Sequence, residues 1–371
     1  MYIVMKWKEQ LLSLAPYKPG RPIESVKKEY GLEKVVKLAS NENPFGTSEK
    51  VVAALQTALS SFAIYPDGYA TNLRTAVAEF LKVDEEQLIF GNGADNLIQI
   101  VSRAFLTPGK NTVMASPSFS QYKHNAIIDG AEIREIPLID GEHDLDAMLQ
   151  AIDDNTAVVW VCSPNNPTGV HISKEKITSF LDKLPKETLV VIDDAYHDYV
   201  VADDFYNAVE FVKEYNNLIV LRTFSKIYGI ASLRVGYGVA HQDIIRVLEP
   251  AREPFNVNTL GQIAAVAALS DQDYVNDCRR KNREGMAQFE LFCEEHKLQY
   301  FPSQANFILI DFGTNGDEVF QYLLEKGYIV RSGNALGYAT SVRVTVGSEE
   351  ENNGVIEAMK QYLQEVRVKT N

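Results

Sequence analysis

Five short apolar runs within residues 112–240 constrain the fold of this chain more than any other feature. They lie at residues 112–115, 157–162, 189–192, 218–221 and 235–240. The runs do not alternate regularly with polar residues, and a strand of this kind is buried on both faces of its sheet. Helical patterns such as residues 174–184 lie between the runs. This alternation predicts an α/β fold, with a mostly parallel central sheet covered by helices.

The pattern changes after about residue 250. Two long helical stretches, three candidate strands and a closing helix follow, at residues 258–269, 273–297, 306–310, 328–331, 341–346 and 349–366. This order predicts a second, smaller α+β domain. We therefore expect a large domain over residues 35–250, and a small domain over residues 251–371 that also includes the N-terminal segment 1–34.

Composition argues against several classes of protein. The formal net charge is −14 at pH 7 and no basic tract offsets it, which disfavours a nucleic-acid partner. Cys162, Cys278 and Cys293 form no close-spaced pair, and the six histidines show no i, i+4 pairing, so we expect neither disulfides nor a metal site. The sequence has no signal-peptide pattern and no apolar run of about 18 residues, so we expect a cytoplasmic protein without a membrane partner.

Lys226 stands just beyond the apolar run at 218–221, in the sequence Thr-Phe-Ser-Lys-Ile-Tyr-Gly at 223–229. A lysine at the end of a buried strand loses hydration, which favours its neutral amine. A neutral amine is the nucleophile that forms a Schiff base with an aldehyde cofactor. Taken alone, a Ser-Lys pair is more often a surface loop, so this interpretation depends on the other motifs.

Three further motifs follow strands or open a helix. The glycines of Gly-Asn-Gly at 91–93 precede an amphipathic helix, where free N–H groups can bind a phosphate, although a plain capping turn is the alternative. Asp193 ends a buried strand and needs a cation, which a protonated pyridine nitrogen would supply. That pairing makes the ring an electron sink. Asn166 lies in a turn and, like Tyr196, can donate to a phenolate oxygen.

Together these motifs resemble fold type I, pyridoxal-phosphate-dependent aminotransferases of classes I and II. The resemblance is carried by Asn-Pro-Thr-Gly at 166–169, Asp-Asp-Ala-Tyr at 193–196, and Ser-Lys at 225–226 with Arg234 eight residues later. It implies that Lys226 is the Schiff-base lysine and the general acid and base of the reaction. It also implies that Asp193 pairs with the pyridine nitrogen, while Asn166 and Tyr196 hold the phenolic oxygen of the ring.

The same resemblance implies further contacts with the cofactor. Its phosphate would be held by residues at one helix start and by residues around the lysine, namely Gly93, Ala94, Asp95, Ser225 and Arg234. Phe119 occupies the position where this family stacks an aromatic ring on the cofactor. Ordinary core packing is the alternative for Phe119.

Additional segments resemble the histidinol-phosphate aminotransferase family, and they lie at 14–20, 37–46, 65–68, 329–331 and 342–347. In that family the equivalent of Tyr65 crosses to the cofactor phosphate of the neighbouring subunit, which implies a homodimer with shared active sites. A simple β-turn also explains residues 65–68. The resemblance implies that Arg331 and Arg343 clamp a substrate anion, with Tyr17 and Asn43 beside them. Surface ion pairing is the alternative for each arginine.

The reaction implied is transamination of L-histidinol phosphate with 2-oxoglutarate, which gives imidazole-acetol phosphate and glutamate. Three alternatives stay open at this point. Two are chemically close: an aromatic-amino-acid aminotransferase, and a decarboxylase of a phosphorylated amino acid. The third is a non-catalytic module that binds the cofactor, although no basic DNA-binding segment accompanies the motifs.

Overall fold

The computed structural model describes residues 6–16, 20–58 and 62–370. Its strands are β1 Val36–Lys37, β2 Leu88–Gly91, β3 Asn111–Ser116, β4 Glu132–Pro137, β5 Thr156–Cys162, β6 Leu189–Asp193, β7 Leu218–Thr223, β8 Gly236–Ala240, β9 Gln299–Tyr300, β10 Phe307–Asp311, β11 Tyr328–Ile329, β12 Arg331–Ser332 and β13 Ser341–Thr345. Its α-helices are α1 Ile23–Tyr30, α2 Glu49–Thr57, α3 Thr71–Leu81, α4 Ala94–Phe105, α5 Gln121–Asp129, α6 Leu145–Gln150, α7 Lys174–Lys183, α8 Gln242–Leu248, α9 Thr259–Leu269, α10 Gln272–His296, α11 Gly316–Glu325 and α12 Glu349–Thr370. Within these ranges, every helix is too short or too polar to cross a membrane.

A seven-stranded sheet forms the centre of the molecule, in the order β2-β8-β7-β6-β5-β3-β4. The pairs from β7 to β4 are parallel, and β8 runs antiparallel to both of its neighbours. The predicted mostly parallel sheet is therefore confirmed, and the five apolar runs form β3, β5, β6, β7 and β8. The pattern missed β4, an edge strand whose side chains are partly exposed and partly charged.

Both faces of this sheet are covered. Along β6, Val190 and Ile192 pack into one apolar cluster, while Leu189 and Val191 pack into another on the opposite face. Successive side chains of a strand point to opposite faces, so a strand that is apolar at every position fits only between two layers. A ligand therefore has to approach the sheet at its edge, beyond the carboxyl ends of the parallel strands.

A second core surrounds a four-stranded antiparallel sheet with the order β12-β13-β10-β9. Buried aromatic residues of α10, such as Phe289 and Phe292, pack there with Met359 of α12. The N-terminal strand β1, which falls in the range 35–250 expected for the large domain, pairs with β11 beside this second core. In contrast, Ala264 and Ala265 of α9 pack into the core of the large sheet. The domain limits at residues 34 and 250 stay a prediction.

Candidate active site

The site residues follow three neighbouring strands of the large sheet. Asp193 is the last residue of β6, Asn166 lies in the turn after β5, and Lys226 lies in the loop after β7. Because β5, β6 and β7 are adjacent and parallel, their carboxyl ends meet at one edge of the sheet. Three motifs that are separate in the sequence thus converge on a single cleft.

Lys226 is partly buried in this cleft. Its Nζ donates to the carbonyl oxygen of Ser40 at 3.2 Å and lies 5.6 Å from the centre of the Tyr196 ring. Burial, reinforced by the positive charge of Arg343, lowers the pKa of Lys226 to about 8. The lowered pKa agrees with the expectation from the sequence. A substantial fraction of the Lys226 amine is therefore neutral in mildly alkaline solution.

Asp193 is only 4% exposed. Its Oδ2 accepts a 2.6 Å hydrogen bond from the hydroxyl of Tyr122, and its Oδ1 accepts from the backbone N–H of Ala195 at 3.3 Å. Burial outweighs these bonds and raises the pKa of Asp193 to about 6. The neighbouring Asp194 behaves differently: burial opposes its ionisation, but His197 and Arg222 outweigh burial and hold its pKa below the ordinary value.

A set of hydrogen-bonded polar side chains surrounds the hydroxyl of Tyr196. The Tyr196 oxygen accepts from Nδ2 of Asn41 at 2.9 Å and from Nδ2 of Asn166 at 3.4 Å. The Oδ1 of Asn166 in turn accepts from Nη1 of Arg343 at 2.5 Å. Arg343 thereby reaches from the small sheet to the turn after β5, and it joins the two sheets at the site.

The start of α4 forms a concave surface with Arg234. Gly93 has φ +83°, and a Cβ at this position would lie 2.3 Å from Nη2 of Arg234. Nη1 of Arg234 donates to Oγ of Ser225 at 3.0 Å, while Nη2 lies 3.8 Å from a carboxylate oxygen of Asp95. Free N–H groups at a helix start, a guanidinium and a hydroxyl together suit a phosphate group.

The two predicted substrate arginines lie on adjacent strands. Arg331 in β12 and Arg343 in β13 are direct cross-strand partners, which places their Cβ atoms roughly 4.5–5.5 Å apart. Arg343 is buried, and its Nη2 donates to the carbonyl oxygen of Ala39 at 2.8 Å. Arg331 is partly exposed. Their substrate contacts stay a prediction.

Three other predicted site residues make contacts with neighbouring residues of the fold. Tyr65 is 76% exposed and its ring stacks on Phe255 at 4.6 Å. The Asn43 amide donates to the carbonyl oxygen of Ile227 at 2.7 Å, which fixes the turn before α2. Phe119 contacts the edge of the Tyr122 ring, with 5.7 Å between centroids. Tyr17 lies outside the described residues. The binding roles assigned to these four residues stay predictions.

Sequence reasoning missed Asn41, Tyr122 and Thr345. Asn41 lies in segment 37–46, which carries part of the family resemblance, but nothing in that segment indicates a contact with Tyr196. Tyr122 lies three residues after Phe119, inside α5, where an aromatic residue usually indicates core packing. Thr345 follows Arg343 by two residues and is therefore on the same face of β13, which was the available signal.

Comparisons with known proteins agree with this geometry. Residues 33–359 match the family model described as aminotransferase class I and II. A histidinol-phosphate aminotransferase from Geobacillus sp. (strain WCH70) is 59% identical over 361 residues, which cover 97% of this chain and 99% of that protein. The histidinol-phosphate aminotransferase of Bacillus subtilis (strain 168) is 56% identical over 360 residues, with 97% and 100% covered.

A solved structure shows the same fold. The histidinol-phosphate aminotransferase from Sinorhizobium meliloti, in complex with pyridoxal-5'-phosphate, has a TM-score of 0.89 at 24% identity and covers 98% of this chain and 99% of its own. Fold, site and family match define a class I and II aminotransferase. Within that class, the extent and identity of the curated relatives show that the chain belongs to the histidinol-phosphate aminotransferase family.

Replacing Asp193 by asparagine should stabilise the cofactor-free protein above about pH 6 and not below about pH 4. Because burial raises the pKa of Asp193 to about 6, the ionised carboxylate costs stability above that pH and costs none below its unfolded value near pH 4. We expect Asp193→Asn to raise the unfolding free energy by about 2 kcal/mol near pH 8 and to leave it unchanged near pH 4. Denaturant titrations at both pH values measure this.

The control is Asp154→Asn, which removes an exposed carboxylate. This control should show no such pH-dependent gain. An equal change in the stability of Asp193→Asn at both pH values would contradict the assigned cause.

Proposed function

We propose that this chain binds pyridoxal 5'-phosphate and transfers the amino group of L-histidinol phosphate to 2-oxoglutarate, giving imidazole-acetol phosphate and glutamate. The observation that carries the proposal is the placement of Lys226 and Asp193 beyond adjacent strands, in a chain whose curated relatives share one activity name over nearly their whole length. The aromatic aminotransferase and decarboxylase alternatives are not favoured, because the same relatives carry neither name.

The residues present fit this cofactor. The buried carboxylate of Asp193 needs a cation, which a protonated pyridine nitrogen supplies. A Cβ at Gly93 would lie 2.3 Å from Nη2 of Arg234, so the close approach of this guanidinium requires glycine, and the groups around it suit a phosphate. Lys226 offers an amine with a lowered pKa. Asn166 and Tyr196, which are in hydrogen-bond contact with each other, offer polar groups for the phenolic oxygen of the ring.

The residues of the chain divide the chemistry among them. When bound, the aldehyde cofactor supplies a conjugated ring that accepts the electron pair left on the substrate carbon. The neutral amine of Lys226 takes the proton from that carbon, and its ammonium form returns a proton later. Asp193 stabilises positive charge at the pyridine nitrogen, which preserves the electron-accepting character of the ring. The lowered pKa of Lys226, about 8, keeps the amine available for this proton transfer.

Arg331 and Arg343 supply the positive charge for the anionic end of each substrate. Their cross-strand pairing presents two guanidinium groups from one face of the small sheet, and such groups bind phosphate and carboxylate through paired hydrogen bonds. The phosphate of histidinol phosphate and a carboxylate of 2-oxoglutarate can therefore use the same clamp. Tyr17 and Asn43 complete the substrate side in this proposal.

The proposal includes a homodimer in the cytoplasm. Large apolar side chains near Tyr65 are exposed in the single chain, namely Phe62, Ile64, Tyr69 and Phe255. Exposed apolar residues in a group are typical of an interface. Pairing of two chains across this surface would bury them and bring Tyr65 to the cofactor phosphate of the partner subunit.

Lys226→Ala should abolish most of the transamination rate while leaving the fold intact. The substitution removes the only group assigned to move the proton, and general acid–base catalysis contributes on the order of 10²–10⁴-fold. Exchange between glutamate and 2-oxoglutarate measures the effect without the phosphorylated substrate. Lys123→Ala, at an exposed position of α5, serves as the matched control. A near-normal rate in Lys226→Ala would reject the assigned role.

Gly93→Ala should weaken binding of pyridoxal phosphate by about tenfold or more, because the new Cβ displaces the Arg234 guanidinium. Gly109→Ala is the control: Gly109 also has a positive φ, of +89°, but has nothing within 4 Å of the new Cβ. Gly109→Ala controls for the general effect of a Cβ at a positive φ, so equal losses of cofactor affinity in the two variants would contradict an effect specific to the start of α4. Equilibrium dialysis of the cofactor-free proteins gives the affinities.

A half-reaction tests the substrate assignment. Histidinol phosphate is added to the protein loaded with pyridoxal phosphate, and the absorbance change that marks conversion to the pyridoxamine form is followed. Phenylalanine and threonine phosphate are the competing amines. We expect the fastest conversion with histidinol phosphate. Conversion with phenylalanine but not with histidinol phosphate would replace the proposal by the aromatic alternative, and release of carbon dioxide from threonine phosphate would replace it by the decarboxylase.

A further inference from the structure

Asn41 contacts the site although no motif assigned it a role. It lies between β1 and α2, is 2% exposed and has φ +57°, in the left-handed region that asparagine tolerates better than most residues. Its Nδ2 donates to the Tyr196 oxygen at 2.9 Å, a shorter contact than the 3.4 Å from Asn166. Asn41 is thus the nearer of the two amides that donate to this hydroxyl.

Thr345 contacts both the backbone and the side chain of Asn41. The backbone N–H of Asn41 donates to Oγ1 of Thr345 at 3.0 Å, so this hydroxyl already accepts one hydrogen bond from Asn41. The same Oγ1 lies 3.1 Å from the side-chain oxygen of Asn41, and its single hydrogen can be donated there. In the structure the amide oxygen faces Thr345, and the amide N–H groups face Tyr196.

The consequence concerns the proton of the Tyr196 hydroxyl. Both amides that contact its oxygen act as donors, so the hydroxyl accepts from each and keeps its own proton for a third group. Accepting hydrogen bonds also polarises the O–H bond and makes it a better donor. The charged and titratable groups that face Tyr196 are Arg343, Cys162 and Asp193, together with Lys226 above its ring.

We propose that Asn41 is a positioning residue that directs the Tyr196 proton toward the phenolic oxygen of pyridoxal phosphate, with Thr345 fixing the orientation of the amide. The inference rests on the proposed function, since it concerns how strongly the bound cofactor is hydrogen-bonded. It assigns no chemical step to Asn41. A proton donated to the phenolic oxygen stabilises negative charge there, and Asn41 keeps the donor aimed.

The same contacts tie this arrangement to the small sheet. Thr345 ends β13, the strand that carries Arg343, and Nδ2 of Asn306 donates to the carbonyl oxygen of Asn41 at 3.0 Å. Asn41 is therefore held from two points next to the substrate arginine. Its position depends on the strand that binds the substrate anion, while its amide acts on a residue that contacts the cofactor.

A double-mutant cycle tests the inference. Asn41→Gly removes the amide but keeps a backbone that accepts φ +57° and the N–H that reaches Thr345. The variant is made in the natural sequence and in a Tyr196→Phe background, and the pH at which the absorbance of the bound cofactor changes is measured for all four proteins. We expect an upward shift of about half a pH unit in the natural background, because negative charge on the phenolic oxygen is less stabilised, and no further shift in Tyr196→Phe.

The cycle separates a positioning role from a merely structural one. A structural effect of Asn41→Gly would appear equally in both backgrounds, since it would not act through the Tyr196 hydroxyl; that result, or the absence of a shift in the natural background, would overturn the inference. Failure of the unaltered protein to bind pyridoxal phosphate at all would instead reject the proposed function. The two failures are therefore distinguishable.

Thr345 provides a second pair of variants. Thr345→Val removes the hydroxyl with little change of shape and leaves the Asn41 amide free to turn, so the absorbance midpoint should move in the same direction as in Asn41→Gly. Thr345→Ser keeps the hydroxyl and should match the natural protein. Equal midpoints for Thr345→Val and Thr345→Ser would show that the hydroxyl does not orient Asn41, and would overturn that part of the inference.

Discussion

The buried carboxylate of Asp193 is the interaction on which the rest of the site depends. It lies at the end of β6, between strands that are apolar on both faces, and only Tyr122 and one backbone N–H contact it in the described part of the chain. Burial raises the pKa of this carboxyl group because its two hydrogen bonds do not replace the hydration that the ionised form loses. The ionised Asp193 carboxylate therefore lowers the stability of the cofactor-free protein, and a cationic ring nitrogen would remove this cost.

The adjacent residue shows that this disadvantage is specific. Asp194 is as deeply buried, yet Nε and Nη2 of Arg222 both donate to its Oδ2, at 3.0 and 2.8 Å. The two neighbouring carboxylates thus differ in their counter-ions. Asp194 has an arginine of the same chain, whereas Asp193 is available to a cation of the cofactor. An internal arginine beside Asp193 would stabilise the empty protein and would compete with the cofactor for the same charge.

The sequence predicted those features of the molecule that depend on short, contiguous segments. The sheet followed from uninterrupted apolar runs. Asp193 stood out because it directly follows such a run, and Lys226 because it lies a few residues beyond another. Contacts between distant segments were not predictable in this way. Asn41 and Tyr196 are separated by 155 positions, and their contact depends on a left-handed backbone conformation and on the orientation of an amide. Tyr122 was missed because its ring stacks on Trp160 as any core residue would, and only its hydroxyl distinguishes it.

The reversed direction of β8 has a consequence for how the chain can vary. Because β8 is antiparallel to β7, the connection between them, residues 224–235, begins and ends at the same edge of the sheet. This single short loop carries both Lys226 and Arg234, and Gly236 immediately after it leaves no room for a Cβ beside the start of α4, where Ala94 N would lie at 2.6 Å. A parallel β8 would require a long crossover and would separate the two cations. A change in the length of this loop would alter the spacing between the amine and the guanidinium. Loops at the opposite edge of the sheet carry no such restriction, and length differences between relatives should accumulate there.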